Sequence, residues 1–244
     1  MRILITLALV GLMAACTPTS EPASKARTGF TAVRSAESGL AAYSRVSRRM
    51  EPLVEQVCRS LHANKPKTFC DFQINVINDP KQPPNAFQSL GRDGRPVISF
   101  NINMLRSFNN DDELAFVFGH EAGHQIAQHI EKSQANALVG AVIGGLLVAV
   151  AGGDAQVGVD IGGSIGGRSY SKKFELQADT IAAHITDRSG YNPKLGAKIY
   201  ERTSGSSALL ATHPPSSERI ARVSTTLAQI DAGKARGRRP PISW

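Results

Sequence analysis

FGHEAGHQIA, residues 118–127, places His120 and His124 four positions apart, with Glu121 directly after the first. An α-helix turns about 100° per residue, so positions i and i+4 stand one above the other on the face where two imidazoles can share one ion. The surroundings supply the helix. In DDELAFVFGHEAGHQIAQHIEKSQAN, residues 111–136, Asp111 or Asp112 can cap the start, Glu113 suits the first turn, and no proline follows. The histidines therefore sit mid-helix. Glu121 projects from the adjoining strip, within reach of a water on the open side of a bound ion. This pattern predicts a zinc site with a built-in general base.

Such a site needs a third protein ligand. His129 lies nine residues after His120, about 180° round an unbroken helix, and reads as a surface histidine. A metzincin arrangement is excluded, because its third histidine and its glycine would fall where Ile130 and Ala127 stand. His62, at the end of a predicted helix, reads as a capping or exposed residue. The better candidate is Glu175 in FELQAD, with Asp179 four residues on along the same helical face. One carboxylate can bind zinc while the other accepts the free N–H of a ligand histidine. Ala178, Ala182 and Ala183 would let this second helix approach the first closely, and His184 points the other way.

The 244 residues, 41% hydrophobic, suffice for one domain with a core. Residues 1–15 read as a secretory signal: Arg2, an apolar run from Ile3 to Leu12, then small residues. MAAC resembles a bacterial lipobox, in which Cys16 would carry lipid and become the mature N-terminus. That assignment leaves Cys58 and Cys70, which an oxidising compartment would join in a disulfide. The formal charge of +8 comes from lysines and arginines that are scattered apart from Arg45, Arg48, Arg49 and the tail KARGRRPPISW. No nucleic-acid motif accompanies them, so a basic surface near anionic lipid is expected rather than an RNA or DNA partner.

Residues 16–37 read as a flexible tether and 232–244 as a basic tail, leaving 38–231 for the domain. Helical spacing from Leu40 to Leu61 predicts a packing helix, broken or kinked at Pro52. Three short strands follow in FCDFQINVIND, NAFQSL and RPVISFN. Residues 138–167 are rich in glycine at four-residue intervals and read as a tight helical hairpin, a shallow membrane contact or a flap; the apolar run is too short to cross a bilayer. Further helices are expected in YSKKFELQADTIAAHITDRSG, NPKLGAKIYERT and PPSSERIARVSTTLAQIDAG. The fold class is a zincin-like α+β domain, mainly helical with a small three-stranded sheet.

HEAGH, FELQAD, NAF and THPPSSERI together resemble the HtpX and CAAX-prenyl-protease family of zinc metalloendopeptidases, in its soluble, exported lipoprotein branch, from about residue 38 to 231. The resemblance implies that His120, His124 and Glu175 hold one zinc, that Glu121 is the base, that Asp179 supports a ligand, and that Asn85 and Ala86, with Phe87 beside them, belong to a substrate-binding edge strand. Integral-membrane members carry spanning helices between the two zinc motifs, where this chain has only its glycine-rich segment, so multipass topology is not expected. The expected activity is a zinc-dependent endopeptidase on the periplasmic face of the cell envelope. It would be lipid-anchored, most simply in the outer membrane, and act on unfolded or misassembled envelope proteins. The alternative is a lipoprotein chaperone or assembly factor with a structural zinc, which would need no base at Glu121.

His213, in a proline-stiffened loop, admits three roles: a donor to the oxyanion formed in hydrolysis, a latch on the zinc's open position, or a solvated loop residue. Ser216 or Ser217 can cap the next helix, whose Arg219 could anchor that loop or a substrate carboxylate.

Overall fold

Helix α1 (Ala36–Leu61) starts where the Ser35 side chain accepts from the Ser38 amide. It buries Tyr43, Val46, Met50, Val54 and Val57 along one stripe. These residues belong to a computed structural model that describes residues 32–136, 170–202, 213 and 217–244. The lipobox cysteine Cys16 and the glycine-rich stretch 138–167 lie outside the described residues. The break expected at Pro52 does not occur. The helix runs through it, because Pro52 stands on the exposed face, where water can serve the carbonyl its missing N–H would have used. Cys58 near the end of α1 is disulfide-bonded to Cys70, which closes a short 3-10 turn.

The sheet has the order β1-β3-β2, with β1 (Gln73–Ile77), β2 (Ala86–Leu90) and β3 (Pro96–Asn101). β3 is central, parallel to β1 and antiparallel to β2. The register aligns Ile74 with Ile98 and Val76 with Phe100, and sets Ala86 opposite Phe100 and Gln88 opposite Ile98. Period-two alternation therefore turns one face into the core, where Ala86, Ile98 and Phe100 are fully buried. β2 is an edge strand.

After the short α2 (Ile102–Ser107) comes the central helix α3 (Asp111–Ile126), buried on every side from Glu113 onward. Its cap is Asn110 rather than Asp111 or Asp112. Asn110 Oδ1 accepts from the Glu113 amide, and the Glu113 carboxylate reaches back to the Asn109 amide, a reciprocal capping box. The two aspartates are employed elsewhere, Asp111 by Arg34 and Arg45 and Asp112 by the Asn192 amide. The unbroken helix expected to residue 136 is also corrected: α3 stops at Ile126, Gln128 takes a left-handed φ of 59°, and helix resumes at residue 129.

Helix α4 (Lys172–Arg188) crosses α3 at close range, as its alanines suggest. A Cβ on Gly123 would stand 2.9 Å from the Ala178 carbonyl oxygen, and one on Gly119 would stand 3.2 Å from Ala182 Cα. Small residues on both helices set this spacing, which carries Glu175 and Asp179 to the histidines. Gly123→Ala is expected to destabilise the chain by about 1–3 kcal/mol, because backbone rather than a flexible side chain must give way. An unchanged denaturant midpoint would contradict that packing. The short α5 (Pro193–Gly196) and a 3-10 turn lead toward α6 (Ser217–Ala235). Beyond α6 the chain turns at Gly237, Pro240 packs on Gly233, and Ile242 is buried. Among the described residues no helix is long and apolar enough to cross a membrane.

Candidate metal centre

Helix α3 presents His120 and His124 from successive turns, α4 brings Glu175, and the chain just before α6 brings His213. One ligand atom from each lies within 4.8 Å of every other, and all four residues are buried. His120 Nε2 stands 3.0 Å from His124 Nε2 and 3.4 Å from Glu175 Oε2, while His124 Nε2 is 3.6 Å from Glu175 Oε1. His213 Nδ1 lies 3.3 Å from His120 Nε2 and 3.0 Å from Glu175 Oε1. Zinc holds nitrogen and oxygen ligands at about 2.0–2.2 Å, and the corners of such a tetrahedron are about 3.3–3.6 Å apart. The donor set and its spacing fit zinc.

The imidazoles are oriented from behind. His120 Nδ1 lies 2.9 Å from Asp179 Oδ1, the arrangement expected when a carboxylate accepts the second N–H of a ligand histidine. Asp179 is itself held by Arg219, whose Nε and Nη2 each donate over 2.7 Å, and by the Tyr200 hydroxyl at 2.6 Å. Arg219 also pairs with Glu175 at 3.0 Å and donates to the His213 carbonyl at 3.2 Å. It is 1% exposed. Of its two expected roles the structure therefore supports the loop anchor and contradicts contact with a substrate carboxylate, since the guanidinium is already engaged by Asp179, Glu175, the His213 carbonyl and the Tyr200 hydroxyl. Tyr200, which no sequence pattern flags, joins the same network through Arg219 and Asp179.

Glu121 is fully buried, and neither of its carboxylate oxygens has a hydrogen-bond partner among the described residues. His213 Nε2 lies 3.7 Å from Glu121 Oε1. His213 is not the solvated loop residue of the blandest reading, being 4% exposed.

The expectation that His129 is a surface residue is overturned. The break at Gln128 voids the angular argument, and His129 is buried with its Nδ1 2.8 Å from His124 Nδ1. His62 caps as expected, but it serves another helix: its Nε2 lies 2.7 Å from the Ile126 carbonyl oxygen at the end of α3. Tyr170 stacks on His124 at 3.9 Å. Asn85, Ala86 and Phe87 stand at the sheet edge, tied to α3 where Gln88 Nε2 donates to Gln125 Oε1 over 3.0 Å.

The electrostatics follow from burial and charge. Burial disfavours a charged His120, but Asp179 and Glu175 outweigh it and raise the group to about 9. Burial would also raise Glu175, yet His213 and His120 hold it well below the usual carboxylate range. Burial, reinforced by a charged His120, keeps His124 well below the ordinary histidine value. In the metal-free chain, His120 contributes stability that is complete below 6.5 and lost as pH rises through about 9. His129 and His184, lowered by burial to about 4, contribute stability that is complete above 6.5 and lost as pH falls toward that value. Chelator-stripped protein should therefore melt highest near pH 6.5 and decline on both sides. With zinc in place of the His120 proton, the alkaline decline should disappear; calorimetry across pH checks both curves.

The fold and donor set together define a zincin-like metallopeptidase domain. Residues 44–227 match the model of peptidase family M48, and the chain belongs to that family. It is 31% identical over 173 residues to the mitochondrial metalloendopeptidase OMA1 of Saccharomyces cerevisiae, which covers 66% of this chain and 48% of that protein. It is 30% identical over 194 residues to the beta-barrel assembly-enhancing protease of Escherichia coli O157:H7, covering 70% and 38%. It is also 24% identical over 206 residues to the metalloprotease LoiP of Escherichia coli K12, covering 73% and 80%. The chain thus spans less than half the length of the first two relatives.

Proposed function

We propose that this chain is a zinc-dependent endopeptidase of the bacterial cell envelope, in the exported lipoprotein branch of its family, with unfolded or misassembled envelope proteins as substrates. One observation carries the reading: Glu121 is a fully buried carboxylate with no hydrogen-bond partner among the described residues, beside four convergent ligand atoms. Leaving such a group unpaired costs on the order of 1–3 kcal/mol or more, which a purely structural zinc site would have no reason to bear. This disfavours the chaperone alternative.

His120, His124 and Glu175 would hold the zinc. Bound there, the metal would polarise the scissile carbonyl and acidify a water. Glu121 takes that water's proton on a carboxylate oxygen as the new C–O bond forms, and returns it to the amide nitrogen as the C–N bond breaks. β2 offers the substrate an edge. Asn101 N donates to Asn85 O and Gly91 N to Arg95 O, so alternate residues from Asn85 pair inward and the backbone groups of Ala86 and Gln88 turn outward. An extended peptide can add there as a further strand. Two of the relatives are proteases of Escherichia coli, one named for beta-barrel assembly, which supports an envelope setting. Lipid at Cys16 would tether the domain; Cys16→Ser should then release it from membranes. The reading is tested by digestion of unfolded casein: cleavage that a zinc chelator abolishes supports it, and a chain that holds zinc yet cleaves nothing, both as wild type and with His213 removed, would leave the chaperone role.

A second reading concerns regulation, because His213 Nδ1 stands among the ligand atoms rather than beyond them. As fourth ligand, it takes the position a water needs, and this arrangement is a latent form. His213→Ala should accordingly raise casein cleavage several-fold while zinc is retained. A fall in rate with unchanged zinc content would assign His213 to the oxyanion instead.

A further inference from the structure

The two histidines of α3 are supported in different ways. His120 leans on a carboxylate, Asp179, whereas His124 leans on a third imidazole, with 2.8 Å between His124 Nδ1 and His129 Nδ1. On its far side His129 Nε2 lies 3.0 Å from Gln177 Oε1. We propose that Gln177 and His129 form a relay that fixes His124 as the Nδ1–H tautomer, so that its Nε2 lone pair faces the metal position. His129 is thereby a positioning residue for metal binding.

For two neutral imidazoles the chemistry allows one arrangement of protons. A carbonyl oxygen cannot donate, so Gln177 Oε1 requires N–H at His129 Nε2. A neutral His129 then has its lone pair at Nδ1, which can only accept. The proton between the two rings must belong to His124 Nδ1, and His124 Nε2 is left bare.

The backbone is shaped to bring this about. Continued helix would carry His129 to the opposite face of α3. The left-handed Gln128 folds it back beneath His124 instead, at a cost of about 1–2 kcal/mol for a residue with a side chain. The carbonyls freed by the break are given partners: Ile126 O is met by His62 and Ala127 O by Lys132 Nζ at 2.6 Å. The His129 ring is then stacked on Phe174 at 4.2 Å, in the same helix as Gln177 and Glu175. Strain that is retained and compensated beside a ligand marks a position with a task.

The proposal rests on the zinc-site reading, and its test reads zinc affinity rather than peptidase activity. Zinc dissociation constants are measured by chelator competition for the full chain and for His129→Phe and His129→Asn, with the melting temperature of each metal-free form as control. Phenylalanine keeps the stacked ring and removes the acceptor, whereas asparagine loses the ring but places Oδ1 where Nδ1 stood. The relay predicts affinity weakened about 10–100-fold by His129→Phe and held within a few-fold by His129→Asn. Gln177→Leu should weaken binding in the same direction. Equal affinity for wild type and His129→Phe, or a loss confined to His129→Asn, would overturn the relay and leave His129 a packing residue. Failure of the wild type itself to bind zinc would instead overturn the zinc-site reading.

Discussion

Glu121→Gln is expected to lower peptide hydrolysis by about 10²–10⁴-fold or more while leaving zinc content unchanged. The amide fills the same volume but cannot take a proton from water at neutral pH, so only the transfer step is lost. The four ligand atoms come from other residues and stay in place. The same substitution removes a buried carboxylate that has no hydrogen-bond partner among the described residues, so the metal-free variant should melt no lower than wild type. Hydrolysis within a few-fold of wild type would exclude Glu121 as the base. Zinc loss in this variant would instead show that the carboxylate is a ligand.

Glu175→Gln should act on the metal itself. Its carboxylate faces both α3 histidines, lies 3.0 Å from His213 Nδ1 and pairs with Arg219. Neutralising it removes the anionic ligand and leaves Arg219 with Asp179 as its remaining carboxylate partner. Zinc affinity is expected to fall by more than about 100-fold, beyond the range for a supporting residue such as Asp179, whose change to Asn should cost about 10–100-fold. Elemental analysis after dialysis distinguishes the two. Full zinc occupancy of Glu175→Gln would remove it from the ligand set.

The parts of the centre that obey helical periodicity were legible from the sequence. His120, Glu121 and His124 follow from one spacing rule, and Glu175 with Asp179 from the same rule applied to α4. The three strands follow from alternation, and the disulfide from an odd cysteine count. What escaped depends on departures from regular geometry. The 100° rotation that would place His129 on the far face ends at Gln128, and nothing in Ala127-Gln128-His129 announces a left-handed residue there. Gln177 sits between the two carboxylates of FELQAD, and its role appears only when His129 is in place to meet it. Tyr200 and Arg219 are joined through Asp179 from distant segments, a contact that no local pattern encodes. Had the break at Gln128 been suspected, a histidine so close to the motif would have drawn notice. The cap at Asn110 shows the same limit on a smaller scale, since Asn109, Asn110, Asp111 and Asp112 stand in a row and each is of a type that can cap.

Zinc titration of the chelator-stripped chain, with casein cleavage followed at each addition, tests the account most directly. His213→Ala serves as the working form, because it leaves the three proposed ligands and the base intact. Activity should be absent after stripping, rise in proportion to added zinc up to one equivalent per chain, and then level off. Cleavage that persists without zinc, or zinc bound to one equivalent with no cleavage restored in either His213→Ala or wild type, would contradict it.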